Sequence, residues 1–218
     1  RVALALAALG ENPADFRGWN LLEPLKDLDK VKIQGNNGPI WALIALDSGA
    51  YVIPQTVSGT QATRELYLQT ILDAQSGNGA WGLTAGGEDV DMTAMALQAL
   101  AGYMNETDVE TAVCRALDWL SAQQRPNGAY VSYGDENSES AAQVLIALCA
   151  FAIPPDDPRF VKNGSTLTDV LERFSCEDGS FRHTLDTDSN LMATEQCMCA
   201  LTAAARLEQG QNSLYRMQ

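Results

Sequence analysis

The sequence predicts an all-α fold in which pairs of helices repeat along the chain. Five short segments rich in Ala and Leu resemble one another, and their first residues are 37, 54, 48 and 53 positions apart. These segments begin at Ala5, Ala42, Ala96, Val144 and Cys197. A glycine precedes each of the last three, by 17, 16 and 18 residues, at Gly79, Gly128 and Gly179. Because two kinds of feature stay in step over three copies, the spacing indicates an internal repeat.

Each repeat combines two kinds of helix. Amphipathic stretches with charges on one side predict outer helices at residues 21–31, 63–75, 109–124 and 167–175. Segments that are apolar nearly all round predict buried inner helices at residues 1–9, 39–48, 92–103, 140–151 and 192–207. No stretch alternates apolar and polar residues with period two, so we expect few strands.

Composition limits the class of protein. The 218 residues contain 14 Lys and Arg against 28 Asp and Glu, which gives a formal net charge of −14. Nucleic acids and anionic membranes bind basic surfaces, so we expect neither as a partner. No apolar run reaches the roughly 18 residues of a membrane helix, and no membrane span is predicted in this segment.

We expect one domain over residues 1–218 and a longer natural protein around it. The opening residues 1–9 match the later inner helices. Gly10-Glu11-Asn12-Pro13 follows them, where a signal peptide would have a cleavage site of small residues. We therefore interpret the opening residues as an inner helix that further chain precedes.

The five cysteines do not predict a disulfide framework. They are Cys114, Cys149, Cys176, Cys197 and Cys199, an odd number with no CxxC pair. In a helical chain of this length we expect buried, unreactive thiols.

A turn motif accompanies the glycines. Gln75, Gly79 and Trp81 have the spacing Q-x-x-x-G-x-W, and Gln124, Gly128 and Tyr130 repeat it with Tyr for Trp. The third copy keeps Gly179 and Phe181 but has Ser175 in place of Gln. We interpret the motif as structural: the Gln amide bonds the backbone of neighbouring helices, the glycine makes the turn, and the ring packs between outer helices.

This motif resembles the turn motif of terpenoid cyclases. The alternating helices resemble the (α/α) toroid of those enzymes, of prenyltransferase β subunits and of the transcobalamin–intrinsic factor family. The chain is most similar in detail to bacterial prenyltransferase and squalene oxidase repeat proteins, many of them surface-associated. The resemblance implies a toroid of inner and outer helix pairs, and it favours an extracytoplasmic or cell-surface location. Nine predicted helices are fewer than the twelve of a six-hairpin toroid, so we expect a ring that is incomplete at its amino end, smaller or open.

One segment resembles a catalytic motif. Asp89-Val90-Asp91-Met92-Thr93-Ala94 is similar to the D-x-D-D-T-A motif of class II terpene cyclases, in which Asp91 would protonate an alkene. Met92 stands where that motif has its last Asp, and aromatic residues make up only 7% of the chain. We therefore favour the interpretation that Asp89 or Asp91 caps an inner helix. A prenyltransferase-type zinc site needs His, Cys and Asp ligands, and because His183 is the only histidine, no metal site is predicted.

Three loops that join outer to inner helices are expected at one end of the ring, at residues 82–91, 131–139 and 182–190. They supply the candidate ligand-binding residues Glu88, Asp89, Asp91, Tyr133, Glu139, His183 and Asn190. Acidic groups that meet at one mouth suit a cation, a basic peptide or a polar ligand. The alternative is a solvated acidic rim.

Three functional hypotheses follow. The preferred one is a non-catalytic binding or scaffold module that contacts other domains of its own protein and takes a small molecule or peptide at the acidic mouth. The second is a terpene-cyclase-like or prenyltransferase-like enzyme that uses Asp91. The third, from the transcobalamin resemblance, is a corrinoid binder that holds cobalamin together with a separate β domain. Apart from cobalamin in the third hypothesis, no cofactor is predicted.

Overall fold

The computed structural model describes residues 1–217, and within them it contains nine α-helices, two short 3-10 helices and one hairpin of two-residue strands. The α-helices are α1 (Val2–Ala8), α2 (Leu28–Lys32), α3 (Asn37–Asp47), α4 (Arg64–Asp73), α5 (Val90–Leu100), α6 (Thr107–Gln123), α7 (Ser138–Ala150), α8 (Leu167–Glu172) and α9 (Leu191–Glu208). The 3-10 helices span Glu23–Lys26 and Ala101–Tyr103, and the antiparallel hairpin pairs β1 (Val131–Ser132) with β2 (Asp135–Glu136). No helix in the described range is long and apolar enough to cross a membrane.

The helices form the predicted inner and outer layers. Helices α3, α5, α7 and α9 pack side by side in chain order, while α4, α6 and α8 pack on the outside of α3, α5 and α7. Every residue from Ser138 to Cys149 on α7 is buried, because α5, α8 and α9 cover it from three sides. The small Ser and Ala side chains of this helix allow its neighbours to approach closely enough for dense packing.

Two outer helices are shorter than predicted. The stretch predicted as one helix at residues 21–31 is divided into the 3-10 helix Glu23–Lys26 and α2, with Asp27 between them. Asp27 has an extended backbone, and its carboxylate accepts a hydrogen bond from the amide of Lys30, so it ends one helix and begins the next. Helix α8 ends at Glu172 because the amides of Arg173 and Phe174 bond carbonyls three residues back, as in a 3-10 turn.

The turn glutamines join consecutive repeats. The side-chain amide of Gln75 donates to the carbonyl of Gly79 in its own turn and to that of Ala112 on α6, both at 2.8 Å. Gln124 donates in the same way to Gly128 and to Phe160, both at 2.9 Å. Each glutamine therefore closes its own turn and holds the next repeat.

The turn aromatics and glycines fill the space between outer helices. Trp81 is fully buried, and its indole N–H donates to the carbonyl of Ile71 at 2.7 Å. Tyr130 and Phe181 are buried at the equivalent positions. Gly79 has a φ of +94°, and a Cβ at this position would lie 2.8 Å from the carbonyl oxygen of Arg115 on α6. The backbone conformation and the close helix therefore both require glycine here.

The third turn lies in open space. A Cβ built on Gly179 would meet no heavy atom within 4 Å. Within residues 1–217 no outer helix follows α8, so the third turn has no neighbour like the one that α6 provides for the first. The Ser175 hydroxyl bonds only the carbonyl of Glu172 in its own turn. Within the described residues, the third turn therefore makes no bridge of the kind that the two glutamines make.

A chain of glutamine side chains, which the repeat pattern did not predict, joins three inner helices. The amide of Gln98 on α5 donates to the side-chain oxygen of Gln143 on α7 at 2.9 Å. The amide of Gln143 donates in turn to the side-chain oxygen of Gln196 on α9 at 2.8 Å. This chain fixes the register of the inner layer with polar bonds inside an apolar wall.

The expectation of buried thiols holds for two of the five cysteines. Cys149 and Cys197 are buried, and burial raises the pKa of each thiol to about 12, so both are unreactive. Cys176 and Cys199 are half-buried, and Cys114 is exposed on α6, where it does not face the core. All five are free thiols.

Removal of a turn glutamine is expected to weaken the fold. In Gln124→Ala the buried carbonyls of Gly128 and Phe160 lose their donor, so the free energy of unfolding should fall by about 1–3 kcal/mol. Ser175→Ala is the matched control, since its hydroxyl bonds no other repeat, and it should change stability by less than about 0.5 kcal/mol. Urea denaturation measures both, and equal losses in the two variants would contradict the bridging role.

Candidate functional site

The predicted loops lie at the amino ends of the inner helices, where each helix contacts the loop of the following repeat. Asn36, before α3, donates from its backbone amide to Leu83 at 3.0 Å and from its side chain to Gly82 at 2.8 Å. Ser138, at the start of α7, donates from its backbone amide to His183 at 3.0 Å and from its hydroxyl to Arg182 at 2.8 Å. We call this end of the ring, formed by residues 82–91, 131–139 and 182–190, the acidic mouth.

Asp91 departs from this pattern. At the start of α5 it faces the loop of the following repeat, as Asn36 and Ser138 do, but its carboxylate accepts a hydrogen bond from the Ser132 hydroxyl at 3.3 Å. Its other oxygen, Oδ1, is buried and makes no hydrogen bond of ordinary geometry, and neither does the hydroxyl of Ser140, which is fully buried on α7. The Ser140 hydroxyl nevertheless acts on the Asp91 carboxyl as a weak donor and lowers its pKa. Buried polar atoms are nearly always paired, so the group at Asp91 is unusual.

The surroundings of Asp91 favour its neutral form. Burial raises the pKa of this carboxyl, and the nearby negative charges of Asp89 and Glu139 raise it further. The hydroxyls of Ser140 and Ser132 act in the opposite direction, and burial outweighs them. Three carboxyl groups thus converge at the amino ends of α5 and α7.

Asp89 is the helix cap of this pair. It precedes α5 with an extended backbone, and its Oδ1 accepts a hydrogen bond from the amide of Met92 at 2.8 Å. Burial raises the pKa of this carboxyl as well, against the lowering effect of the backbone amides of Met92 and Asp91. Of the two candidates for a capping role, Asp89 has it and Asp91 does not.

The threonine of the same motif is structural. The amide of Trp81 donates to the Thr93 hydroxyl at 3.0 Å, and that hydroxyl donates to the carbonyl of Asp89 at 2.7 Å. In the third repeat, the amide of Phe181 donates to Thr194 at 2.9 Å, and Thr194 donates to Asn190 at 2.8 Å. A capping residue followed four positions later by Thr therefore attaches the turn aromatic to the inner helix.

Glu139 and His183 form a hydrogen-bonded pair across the mouth. His183 Nδ1 lies 2.8 Å from Oε2 of Glu139, whose side chain is only 11% exposed, against 48% for the histidine. The Ser138 hydroxyl lies 3.1 Å from the same carboxylate oxygen. His183 is thus an exposed loop residue that a buried carboxylate holds.

The remaining candidates lie outside this cluster. Glu88 accepts a hydrogen bond from the Ser76 hydroxyl in its own turn, which lowers the pKa of the Glu88 carboxyl. Asn190 caps α9 and accepts from the amides of Met192 and Ala193 at 2.9 and 3.1 Å. Tyr133 is 93% exposed at the tip of the hairpin. The structure therefore brings together Asp89, Asp91, Glu139 and His183 and leaves the other three apart.

A central cavity of about 260 Å³ lies between the inner helices, away from this cluster. Side chains from α1, α3, α7, α9 and the chain end line it, among them Leu4, Trp41, Gln196, Tyr215 and Met217. Asp91 does not line it. An acid that protonated an alkene would have to face such a cavity, so this geometry does not favour that role. No group of three or more His, Cys, Asp or Glu side chains within residues 1–217 could hold a metal ion.

Several residues of the site were not predicted. Ser132 and Ser140 gave no signal in the sequence, because serine is common in loops and near helix starts. Thr93 and Thr194 could have been found, since each follows a capping residue by four positions and a turn aromatic by 12 or 13.

Comparison with known proteins agrees with this architecture. The family model described as the prenyltransferase alpha-alpha toroid domain matches residues 37–153 and 93–216. Among solved structures, Candida albicans protein geranylgeranyltransferase-I complexed with GGPP matches with a TM-score of 0.56 and 13% sequence identity. The match covers 84% of this chain and 53% of that chain, so this chain spans about half the length of that protein. At this identity the likeness shows the fold alone. A search of curated proteins finds no match.

Because the pKa of Asp91 is raised, its contribution to the free energy of unfolding should change with pH in a definite direction. Between its ordinary pKa of 3.8 and its raised folded value, the folded state holds the proton more tightly than the unfolded state. The free energy of unfolding contributed by this group therefore falls as pH rises through that window. Asp91→Asn stays neutral, so its stability relative to the unmodified protein should increase from pH 3.5 to pH 7 in urea denaturation.

Asp178→Asn is a control in which the pKa shift, and therefore the expected pH dependence of stability, has the opposite direction. The Ser180 hydroxyl lowers the pKa of Asp178, so this group stabilises the fold above its unfolded pKa, and the effect is lost as pH falls through the folded pKa. The Asp178→Asn variant should therefore lose stability relative to the unmodified protein as pH rises. The same trend in both variants would contradict the effect of burial at Asp91.

Proposed function

The chain belongs to the family of prenyltransferase alpha-alpha toroid domains, and from that premise we propose that it is a non-catalytic binding module whose ligand docks at the acidic mouth. One observation carries the proposal: the carboxyl groups of Asp89, Asp91 and Glu139 converge at the amino ends of α5 and α7, and Oδ1 of Asp91 has only the weak donor Ser140 beside it. A carboxyl so weakly paired is suited to accept a hydrogen bond from a donor that enters the mouth. Asn36 and Ser138, at the equivalent places, have their bonds to the next loop already made.

The negative charges of the cluster favour a cationic ligand. Asp89, Asp91 and Glu139 lie together, and the imidazole of His183 is the partner of one of them. A group with N–H donors and a positive charge would bond Oδ1 of Asp91 and relieve the repulsion among the carboxylates. We therefore propose a basic peptide or an amine as the ligand class.

The same charges argue against a prenyl diphosphate at this mouth. The solved geranylgeranyltransferase-I was complexed with GGPP, whose diphosphate is strongly anionic. Diphosphates are held by Arg, Lys or metal cations. Arg182, the arginine of this loop, donates from its terminal nitrogens to the carbonyl of Leu185 and to the sulfur of Cys176, and its Nε is buried.

The enzyme hypothesis has one supporting observation, the raised pKa of Asp91, which a general acid needs. The position of the central cavity supports binding over catalysis, because Asp91 is not in its wall. For the corrinoid hypothesis, the cavity of about 260 Å³ lies below the usual range of small-molecule pockets, so cobalamin would need a surface from another domain. Turnover of a polyprenoid by this chain, lost in Asp91→Asn, would replace our proposal with the enzyme hypothesis.

The wider setting belongs to the same proposal. We propose that the toroid serves as one domain of a longer bacterial protein, at the cell surface or outside the cytoplasm. Its own neighbouring domains would then be its constant partners, and the acidic mouth would be available to a ligand from outside. Two observations would support this setting. One is secretion of the natural protein, and the other is protection of its other domains from proteolysis when the toroid is present.

Binding of an oligolysine peptide tests the mouth. Isothermal titration at low ionic strength should detect binding, and the double variant Asp91→Asn/Glu139→Gln should weaken it by about tenfold, or about 1.4 kcal/mol. Salt should also weaken it, because part of the attraction is between exposed charges.

The matched control removes two charges elsewhere. Asp156→Asn/Glu110→Gln changes the net charge equally at two exposed positions away from the mouth. If this control weakens oligolysine binding as much as the mouth variant does, the attraction comes from the net charge of −14 and the proposed site is wrong.

A further inference from the structure

The chain end folds back into the ring. After α9, Gly210 adopts a φ of +64°, and the amide of Gln211 donates to the carbonyl of Arg206 at 2.8 Å. The side chain of Arg206 then donates to the carbonyl of Asn212 at 2.8 Å, which holds the reversed direction. Further on, the amide of Met217 donates to the carbonyl of Ser48, at the end of α3, at 3.1 Å. Residues 213–217 therefore cross the ring at the end opposite the acidic mouth.

This segment forms one wall of a small hollow at the carboxyl ends of the inner helices. The hollow is bounded by Ile44 and Asp47 on α3, Gln98 on α5, and Ile146 and Ala150 on α7. Residues 213–216 provide the remaining wall. We call this surface, at the carboxyl ends of α3, α5 and α7, the lower opening.

Tyr215 anchors the segment. Its ring stands edge-on to Trp41 of α3, with centroids 5.9 Å apart and an interplanar angle of 72°. Such edge-to-face pairs stabilise beyond the area they bury. Burial raises the pKa of the phenol, and Tyr215 also forms part of the wall of the central cavity. Tyr215 is thus held by its packing in the cavity wall and by the ring contact with Trp41.

The positive charge of Arg216 complements the partial negative charge at the lower opening. Its side chain lies over Gly102, where an added Cβ would overlap the guanidinium, and it shares a hollow with Asp47 and Tyr103. The carboxyl ends of α3 and α5 carry partial negative charge, which favours a cation at this place. Gly102 therefore leaves space for this arginine.

We propose that the lower opening is a binding site for a short peptide in which an aromatic residue precedes an arginine. Its occupant in this structure is the chain's own segment 213–217. The contacts are side-chain contacts and one backbone bond, and an exposed turn at residues 209–212 connects the segment to α9. The same segment of a second copy meets the same contacts, so the partner of this site in trans is another copy of the chain. The covalent connection favours the chain's own segment through its high effective concentration.

A cleavable connection tests the proposal in a chain that has already folded. A protease site is inserted between Gly210 and Gln211, the full chain is purified, and the site is then cut. Fluorescence anisotropy follows the binding of a labelled peptide with the sequence of residues 211–218. The released segment should exchange with the labelled peptide. Peptides with Tyr215→Ala and Arg216→Ala should bind at least about tenfold and about two- to fivefold more weakly.

Gly102 supplies the decisive control. In Gly102→Ala the added methyl group meets only Arg216, so the unmodified peptide should lose affinity while the Arg216→Ala peptide binds as before. Gly77→Ala, where a Cβ meets nothing within 4 Å, should change neither affinity. The proposal is wrong if the cut segment leaves and no peptide binds, if all three peptides bind alike, or if Gly102→Ala weakens both peptides equally.

Discussion

The architecture depends on one side-chain amide in each of the first two turns. Gln75 and Gln124 each donate two hydrogen bonds, one to the glycine turn and one to the backbone of the next repeat. Carbonyl groups buried between outer helices need such donors, since water does not reach them. The glycine then brings the turn close to the following helix, and the aromatic ring fills the space that remains. Packing of the inner layer follows from this spacing, because each inner helix is attached to its turn.

The two ends of the ring differ chemically for the same reason. All inner helices run in one direction, so their amino ends, which carry partial positive charge, meet at the acidic mouth. Asp89 caps α5 there, and the amide of Met92 donates to its carboxyl group. At the opposite end, cations meet the carboxyl ends: Arg64 bonds the carbonyls of Leu46 and Tyr51, and Arg216 lies over Gly102. Two of the ten arginines thus lie where the carboxyl ends of helices attract cations.

The repeat made the fold predictable from the sequence, and the comparisons confirm it. Spacing between Gly79, Gly128 and Gly179 located the turns, and small-residue segments located the inner helices. The site was harder to predict from the sequence, because it depends on contacts between repeats. Nothing in the local sequence indicates that one oxygen of Asp91 is only weakly paired, or that Glu139 meets His183, 44 residues away. The path of residues 213–217 was not predicted, since five residues after a helix are too few to give a periodic signal.

The open third turn has a consequence for dynamics. A segment with few contacts to neighbouring elements opens more easily than a densely packed one. The Ser175 hydroxyl bonds only its own turn, and a Cβ added to Gly179 would meet no heavy atom within 4 Å. Amide hydrogens of the third turn should therefore exchange with solvent sooner than those of α5 and α7. The loop that carries His183 follows this turn, so one side of the acidic mouth should open more readily than the other.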